Sequence, residues 1–350
     1  MMINTKLRAG EWVEVRSKEE ILWTLDRYGQ LEGLPFMPEM FAFCGRQYRV
    51  YKRAHKTCDT VNDFKGRGMK DVVHLEGVRC DGQSHGECDA ECLIFWKTAW
   101  LRRGVEHADP TGAFPLGSGT CAGPENTSDG CCEADVLSGT LRSGPEDCGS
   151  PSYICQATQL PAATVPLPWW NPGQYIEDFT SGNVGLGRMA SGFLYMFYQH
   201  CLINAGIGLG DPLRWLYDKA QSLRGGVPYP RRAGKLPIGG STPAVRLELQ
   251  PGEWVRVKSL EEILAACDAD LKNRGMKFDA EMVPYCGKTY RVLKRVTKIV
   301  NEKTGKIQEL KTPAVILETV ICQARYSECR LFCPRSLYPF WREIWLERIG

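Results

Sequence analysis

The sequence predicts an α+β fold in which two copies of one mostly β module flank a partly helical insert. The main observation is an internal repeat: the hexapeptide GEWVEV at 10–15 returns as GEWVRV at 252–257, which is 242 positions later. The same offset carries Cys44 onto Cys286, each followed by glycine. A second observation is that both copies end in a matched, cysteine-rich tail. Self-similarity over a whole module indicates two copies of a single domain.

The repeat also predicts the domain boundaries. We expect a first module, an insert and a second module, over residues 1–104, 105–245 and 246–350. A chain of 350 residues is long enough for two or three domains. Within the insert, residues 109–152 are rich in Gly, Ser, Pro and Cys, which is typical of loop, and helices are predicted near 189–201 and 212–223.

Each module is predicted to have the same order of elements. A strand at 12–16 alternates polar and apolar residues. Ser17 and Glu20 then form a capping box that begins a helix, and Ser259 and Glu262 repeat it. Two longer strands follow, joined in the second module by a hairpin turn. Each tail ends in two tryptophans at i, i+4 spacing, which predicts a helix.

The leading Gly-Glu-x-Val-x-Val strand and the later Gly-x-x-Tyr-x-Val strand resemble an SH3-like small β-barrel. The barrels of KOW domains and of the nitrile hydratase β subunit begin similarly. The resemblance covers residues 10–80 and 252–322. It implies two repeated SH3-like β-barrel modules, each with a four-cysteine tail and a helix. We assign no function to this chain from the resemblance.

Composition excludes several classes of protein. Hydrophobic residues make up 43% and charged residues 24% of the chain, which is ordinary for a globular protein. A net charge of +3 is too small to indicate a nucleic-acid or acidic partner by itself. The N-terminal residues lack the apolar core of a signal peptide, so we expect a cytoplasmic protein. The most apolar stretch, 189–209, is interrupted by polar residues and glycines, so we expect no membrane span.

Cysteine is the most informative residue type, with sixteen copies in the chain. In a reducing compartment, clustered cysteines favour metal binding or catalysis over disulfides. For an exported protein the same residues would be a disulfide framework. Four cysteines lie at matched places in each module, as Cys44, Cys80, Cys88, Cys92 and as Cys286, Cys322, Cys329, Cys333.

Four thiolates suit tetrahedral Zn²⁺ or a [4Fe–4S] cluster. We expect two zinc sites, since a structural ion would stabilise a small module and no companion redox motif is evident. An iron–sulfur cluster is the alternative. If no metal is bound, the cysteines are buried free thiols or are paired in disulfides. The Cys-x₃-Cys spacing at Cys88 and Cys92 places both sulfurs on one face if the tail is helical.

The first module has potential ligands that the second lacks. Cys58 aligns with Val300, two histidines (His55 and His74) align with apolar or hydroxyl residues, and His85 lies between Cys80 and Cys88. If one of the two modules gained a chemical function, we therefore expect it to be the first module. The insert also contains a cluster of five cysteines whose role the spacing leaves open, namely Cys121, Cys131, Cys132, Cys148 and Cys155.

The leading hypothesis is a cytoplasmic, zinc-stabilised binding or scaffold protein whose partner is another protein. The alternative is an iron–sulfur or metal-dependent enzyme or redox accessory. A third hypothesis is nucleic-acid binding through two basic strands, with contacts from Arg49, Lys52, Arg53, Lys56, Arg291, Lys294, Arg295 and Lys298. No Ser-His-Asp order, HExxH motif or carboxylate pair identifies a catalytic residue.

Overall fold

The computed structural model describes residues 6–62, 65–104, 130–142, 151–204, 210–327 and 329–349. Helices and strands both occur throughout these ranges, and the strands form several small antiparallel sheets. The fold is therefore mixed α+β, as the sequence predicts. In these ranges no helix combines the length and apolar character needed to cross a membrane.

The first module contains one capped helix and nine short strands. In chain order they are β1 (Trp12–Val15), α1 (Lys18–Leu22), β2 (Gln30–Leu31), β3 (Leu34–Pro35), β4 (Gln47–Arg53), β5 (Lys56–Cys58), β6 (Gly66–Gly68), β7 (Val72–Leu75), β8 (Trp96–Lys97) and β9 (Leu101–Arg103). The Glu20 N–H donates to the Ser17 hydroxyl at 3.3 Å, and the Ser17 N–H donates to the Glu20 carboxylate at 3.2 Å. This is the predicted capping box, and it begins α1.

The insert is more helical than predicted. Its elements are α2 (Glu133–Ser138), β10 (Leu141–Arg142), β11 (Ser152–Tyr153), α3 (Leu160–Ala163), β12 (Val165–Pro166), α4 (Pro172–Thr180), α5 (Leu186–Phe197) and α6 (Gly210–Leu223). The two predicted helices correspond to α5 and α6. The sequence did not predict α4, which begins with the Asn171 side chain accepting a hydrogen bond from the Gly173 N–H at 2.9 Å.

The second module has its own capped helix and seven strands. They are β13 (Trp254–Val257), α7 (Leu260–Ala265), β14 (Lys272–Asn273), β15 (Met276–Lys277), β16 (Thr289–Val300), β17 (Ile307–Leu317), β18 (Trp341–Arg342) and β19 (Leu346–Arg348). The Ser259 hydroxyl accepts from the Glu262 N–H at 3.3 Å, which is the second predicted capping box.

The two modules carry five-stranded antiparallel sheets of the same strand order. The order is β8-β7-β4-β1-β9 in the first module and β18-β17-β16-β13-β19 in the second. Val13 pairs with Tyr48 in the first sheet, and Val255 pairs with Tyr290 in the second. Within the described residues each sheet is open, because its short edge strands do not pair with each other. The predicted closed barrels are therefore not seen.

A hairpin projects from each sheet toward the other module. In the second module β16 and β17 form it, and the Asn301 N–H donates to the Lys306 carbonyl at 2.8 Å in the predicted turn. In the first module the corresponding hairpin is divided, with β4 pairing β7 and β5 pairing β6. The insert extends both hairpins, since β12 pairs with β6 and Ser152 bridges to Lys306.

Two fully buried tryptophans from each tail anchor the module cores. Trp96 and Trp100 lie edge-on to Phe36, with ring centroids 6.2 and 5.2 Å away. Trp341 and Trp345 pack on a phenylalanine in the same way. The predicted tail helix is wrong, because these residues lie on a short strand followed by a 3₁₀ turn. Their i, i+4 spacing reflects two residues that face one aromatic core.

Candidate metal centre

A buried cavity of about 40 Å³ lies beneath the tail of the first module. Four cysteines line it, three from the tail (Cys80, Cys88 and Cys92) and Cys155 from the insert. Cys88 and Cys155 are each only 7% exposed. The fold therefore concentrates thiols from two distant parts of the chain at one enclosed point.

Three potential ligands converge at the wall of this cavity. The Cys80 thiol donates to Glu39 Oε1 at 3.3 Å, and Cys80 Sγ lies 3.4 Å from His85 Nε2. The ligand atoms of Glu39, Cys80 and His85 all lie within 4.8 Å of one another, which holds for no other such trio in the described part of the chain. A tetrahedral ion with bonds of about 2.0–2.3 Å separates its ligands by about 3.3–3.8 Å. The three side chains already lie near coordination spacing.

A tight loop positions His85 between the tail cysteines. The His85 N–H donates to the Gly82 carbonyl at 3.2 Å, and the Cys80 N–H donates to the Cys92 carbonyl at 2.9 Å. Gly82 has a φ of +77°, and a Cβ at this position would lie 2.1 Å from the Cys88 carbonyl oxygen. Only glycine permits both this backbone conformation and this close approach.

Burial sets the protonation of the cavity side chains. It raises the pKa of Cys92 and of Cys155 to about 12 each, and it raises the pKa of Cys80 as well. Burial also lowers the pKa of His85, so its imidazole is neutral near pH 7. By themselves the thiols stay protonated, whereas a bound cation would release their protons and take thiolate ligands.

The second module completes the cavity wall. The Val300 N–H, at the end of β16, donates to Cys88 Sγ at 3.3 Å. Glu302 and Arg335 also line the cavity. The candidate centre therefore lies where the first tail, the insert and the second module meet.

The structure separates Cys44 from the other predicted ligands of its module. Cys44 follows the 3₁₀ turn Pro38–Phe43 and does not line the cavity. It packs against the core of the first module, near Lys18 and Glu19. Burial raises the pKa of Cys44 to about 11, as expected for a thiol packed on apolar side chains.

The predicted ligands of the second module divide in the same way. Cys322 and Cys333 pack together, in a group that also includes Cys58 of the first module. Cys286 packs instead against the core of the second module, and burial raises its pKa to about 12. Cys329 is half-buried in the tail between Cys322 and Cys333.

Sequence reasoning left the role of Cys155 open, because this residue lies outside the repeat and no spacing connects it to the tail. Only the fold brings it to the cavity. The other described insert cysteines lie apart from the cavity: Cys131 is buried against the first core, and Cys132 and Cys201 are exposed. Cys121 and Cys148 lie outside the described residues.

Glu39 also has a structural counterpart. The matching residue of the second module, Glu281, accepts hydrogen bonds from the Tyr326 N–H at 2.5 Å and the Ser327 hydroxyl at 3.1 Å. Burial raises the pKa of Glu281. Both carboxyl groups therefore hold a tail loop, and only Glu39 has a cysteine and a histidine beside it.

The basic residues of β4, β5 and β16 make contacts inside the protein. Lys56 is buried with its Nζ 2.5 Å from Asp178 Oδ2, and Lys294 donates to Glu91 at 3.1 Å. All eight predicted nucleic-acid contacts hydrogen-bond within the chain, namely Arg49, Lys52, Arg53, Lys56, Arg291, Lys294, Arg295 and Lys298. Five of the eight pair with carboxylates, whereas Arg49, Lys52 and Arg291 donate to uncharged oxygens.

A scan against models of known protein families gives no match for this chain, and a comparison with curated proteins gives none either. Function is therefore inferred from the side chains that the fold brings together. The cavity cysteines, with Glu39 and His85, are the group whose chemistry is typical of metal ligands.

Proposed function

We propose that this protein is a metal-binding scaffold in which a zinc centre fixes the first tail to the insert, beside their contact with the second module. One observation carries the proposal. Glu39, Cys80 and His85 converge within 4.8 Å at the wall of an enclosed cavity that three further cysteines line. Thiolate, imidazole and carboxylate are the ligand types of protein zinc sites.

Zinc suits a structural role at this place. One of the remaining cavity cysteines can supply the fourth ligand, which gives the closed four-coordinate site typical of structural zinc. Cys155 is the one from the insert, and its coordination would join the insert to the tail directly. The binding free energy of such an ion becomes folding free energy for the segments that it joins.

An iron–sulfur cluster is the second candidate, and the four thiols of the cavity favour it. A [4Fe–4S] cluster takes four cysteine thiolates, and Cys80, Cys88, Cys92 and Cys155 all face one space. This centre would make the protein a redox accessory or enzyme. Its ligands would exclude Glu39 and His85, so the two candidates differ in which residues bind.

We also propose that the modules are divergent copies of one open, five-stranded SH3-like sheet that arose by duplication. The shared strand order supports this, as does the 3₁₀ turn between the last two strands of each sheet. The fourteen described cysteines are all free thiols, which supports a reducing, cytoplasmic location. In this proposal another protein is the partner of the scaffold.

Metal analysis and an absorption spectrum of anaerobically purified protein test the proposal. We expect zinc and a colourless protein, with Cys80→Ser losing one equivalent of metal. Cys132→Ser is the matched control, because Cys132 is an exposed cysteine away from the cavity and should keep full metal content. A brown protein with equal iron and sulfide would establish the cluster instead. A wild-type protein without either metal would refute both candidates.

A further inference from the structure

A second group of thiols lies where the first module meets the tail of the second. Cys58, in β5, and Cys333 pack in one buried cluster, and the two residues are 3% and 5% exposed. Cys322 packs against the same pair. Cys58 belongs to one module and its partners to the other, so this group exists only where the modules are docked.

Cys329 is a fourth cysteine whose backbone passes close to this group. In the pairing of β5 with β6, Cys58 lies opposite Gly66. A Cβ on Gly66 would lie 3.1 Å from the Cys329 carbonyl oxygen. The backbone at Cys329 therefore passes beside the strand partner of Cys58, within the same region as Cys322 and Cys333.

Two arginines add positive charge beside these thiols. Arg335 is 1% exposed and donates to Thr60 Oγ1 at 2.6 Å. The charges of Arg335 and Arg330 both act on Cys58, and Arg330 also lies close enough to interact with Cys322 and Cys333. A divalent ion with four thiolate ligands carries two net negative charges. The two guanidinium groups already pair with Glu302 and Asp279, and their positive charge beside the site would lower the cost of burying that negative charge.

The repeat shows why this group differs from the first cavity. Cys58 of the first hairpin corresponds to Val300 of the second, and Val300 reaches the opposite tail in the same manner, with its N–H donating to Cys88 Sγ at 3.3 Å. Each hairpin thus extends to the tail of the other module. The first hairpin brings a cysteine. The second brings a valine, and the insert supplies Cys155 at that cavity.

We propose that Cys58, Cys322, Cys329 and Cys333 bind a second zinc ion, in a centre shared between the two modules. It uses none of the ligands of the first cavity, so it goes beyond the function proposed above. No three of these four sulfurs lie within 4.8 Å of one another. Metal binding therefore requires side-chain rotation to bring them to coordination distance. Soft thiolate ligands select zinc over hard cations such as Mg²⁺ or Ca²⁺.

Metal content of single variants of the full chain tests this centre. Wild-type protein should hold two equivalents of zinc, Cys58→Ser one, and Cys58→Ser combined with Cys80→Ser none. Cys286→Ser is the matched control: this half-buried cysteine of the second module packs on its core, and the variant should hold two equivalents.

The outcomes separate the two centres. Loss of metal from Cys80→Ser but not from Cys58→Ser would leave the first centre and overturn the second. If Cys58→Ser does not fold, native mass spectrometry of the wild-type protein and of Cys80→Ser tests the second centre instead. One bound metal in the wild-type protein and none in Cys80→Ser would exclude a second ion. A Cys58–Cys333 disulfide in anaerobically prepared protein would also overturn the proposal, since these thiols would then be unavailable as ligands.

Discussion

Thr60 donates a hydrogen bond from Oγ1 to Glu302 Oε2, and the two residues occupy the same position in the two modules, 242 residues apart. Residues at matching positions contact each other only close to a two-fold relationship between copies. Arg335 lies at the same point and donates to Thr60 at 2.6 Å and to Glu302 at 3.3 Å. The modules therefore meet near an approximate two-fold axis between their hairpins.

Contacts on either side of this axis connect each hairpin to the opposite tail. Lys52 donates to the Ser336 hydroxyl at 3.1 Å, and the matching Lys294 donates to Glu91 at 3.1 Å. Since neither tail is held by its own module alone, we expect the two modules to unfold together. Both candidate centres lie in this shared region, which is why each takes at least one wall residue from the opposite module.

Val300→Cys should restore metal binding to a protein that lacks Cys155. Val300 is the counterpart of Cys58, and its N–H already contacts Cys88 Sγ at 3.3 Å. We expect Cys155→Ser to lose the first-cavity metal, and Cys155→Ser with Val300→Cys to regain about one equivalent. The readout is zinc per protein after gel filtration. Val300→Ser in the same background is the control, and equal metal content in the two double variants would contradict the reciprocal arrangement.

Asp89→Ala should detach the first tail from β16. Asp89 Oδ2 accepts hydrogen bonds from the Thr297 N–H at 2.9 Å, the Thr297 hydroxyl at 3.0 Å and the Lys298 N–H at 3.2 Å. Hydrogen bonds to a charged group contribute about 1.5–3 kcal/mol, so we expect a loss of about 2–3 kcal/mol in the free energy of unfolding. Urea denaturation followed by tryptophan fluorescence measures it.

The control for Asp89 is Asp81→Ala in the same tail. Asp81 is exposed and accepts one hydrogen bond, from the Gln83 N–H at 3.0 Å. Its removal should cost less than about 1 kcal/mol. Similar losses for the two variants would show that the contacts between Asp89 and β16 do not hold the tail.

Local features of the fold could be predicted from the sequence because short-range chemistry determines them. The capping box of Ser17 and Glu20 and the turn at Asn301 depend on residues within a few positions of one another. The tail tryptophans, by contrast, were predicted to be helical from spacing alone. Packing on an aromatic core imposed a strand and a 3₁₀ turn there, which local periodicity does not encode.

The candidate sites could be predicted only in part, because long-range contacts supply one proposed ligand of each. The tail cysteines were found from their clustering, but Cys155 and Cys58 reach the tails through the fold. The repeat instead led to the prediction that Cys44 and Cys286 are ligands. Both follow a 3₁₀ turn and pack on a core, so their matching positions in the two copies reflect shared packing.

His74 should make the protein less stable in acid. It is fully buried in β7, donates from Nδ1 to the Ile94 carbonyl at 2.8 Å, and burial lowers its pKa from 6.5 to about 3. Below pH 6.5 the unfolded chain binds a proton that the folded chain does not. Stability should therefore fall with pH between 6.5 and about 3, by up to about 1.4 kcal/mol per pH unit from this residue.

His74→Ile tests the assignment, because the second module has the buried Ile316 at this position. Loss of the hydrogen bond to the Ile94 carbonyl should lower the free energy of unfolding at pH 8. The slope of that free energy against pH should fall by the equivalent of about one bound proton. Urea midpoints between pH 5 and 8, at equal metal content, measure the slope. An unchanged slope would mean that His74 is accessible to protons in the folded protein.

Gly82→Ala should remove the metal of the first centre, whereas Gly77→Ala should not. Both glycines have left-handed backbone, with φ of +77° and +71°, so both substitutions cost about 1–2 kcal/mol of backbone strain. Only at Gly82 would the new Cβ collide with backbone, 2.1 Å from the Cys88 carbonyl oxygen, while nothing lies within 4 Å at Gly77. The collision must displace Cys88 from Cys80 and open the cavity. Zinc per protein should fall by one equivalent for Gly82→Ala alone, and equal retention in both variants would place the metal outside this loop.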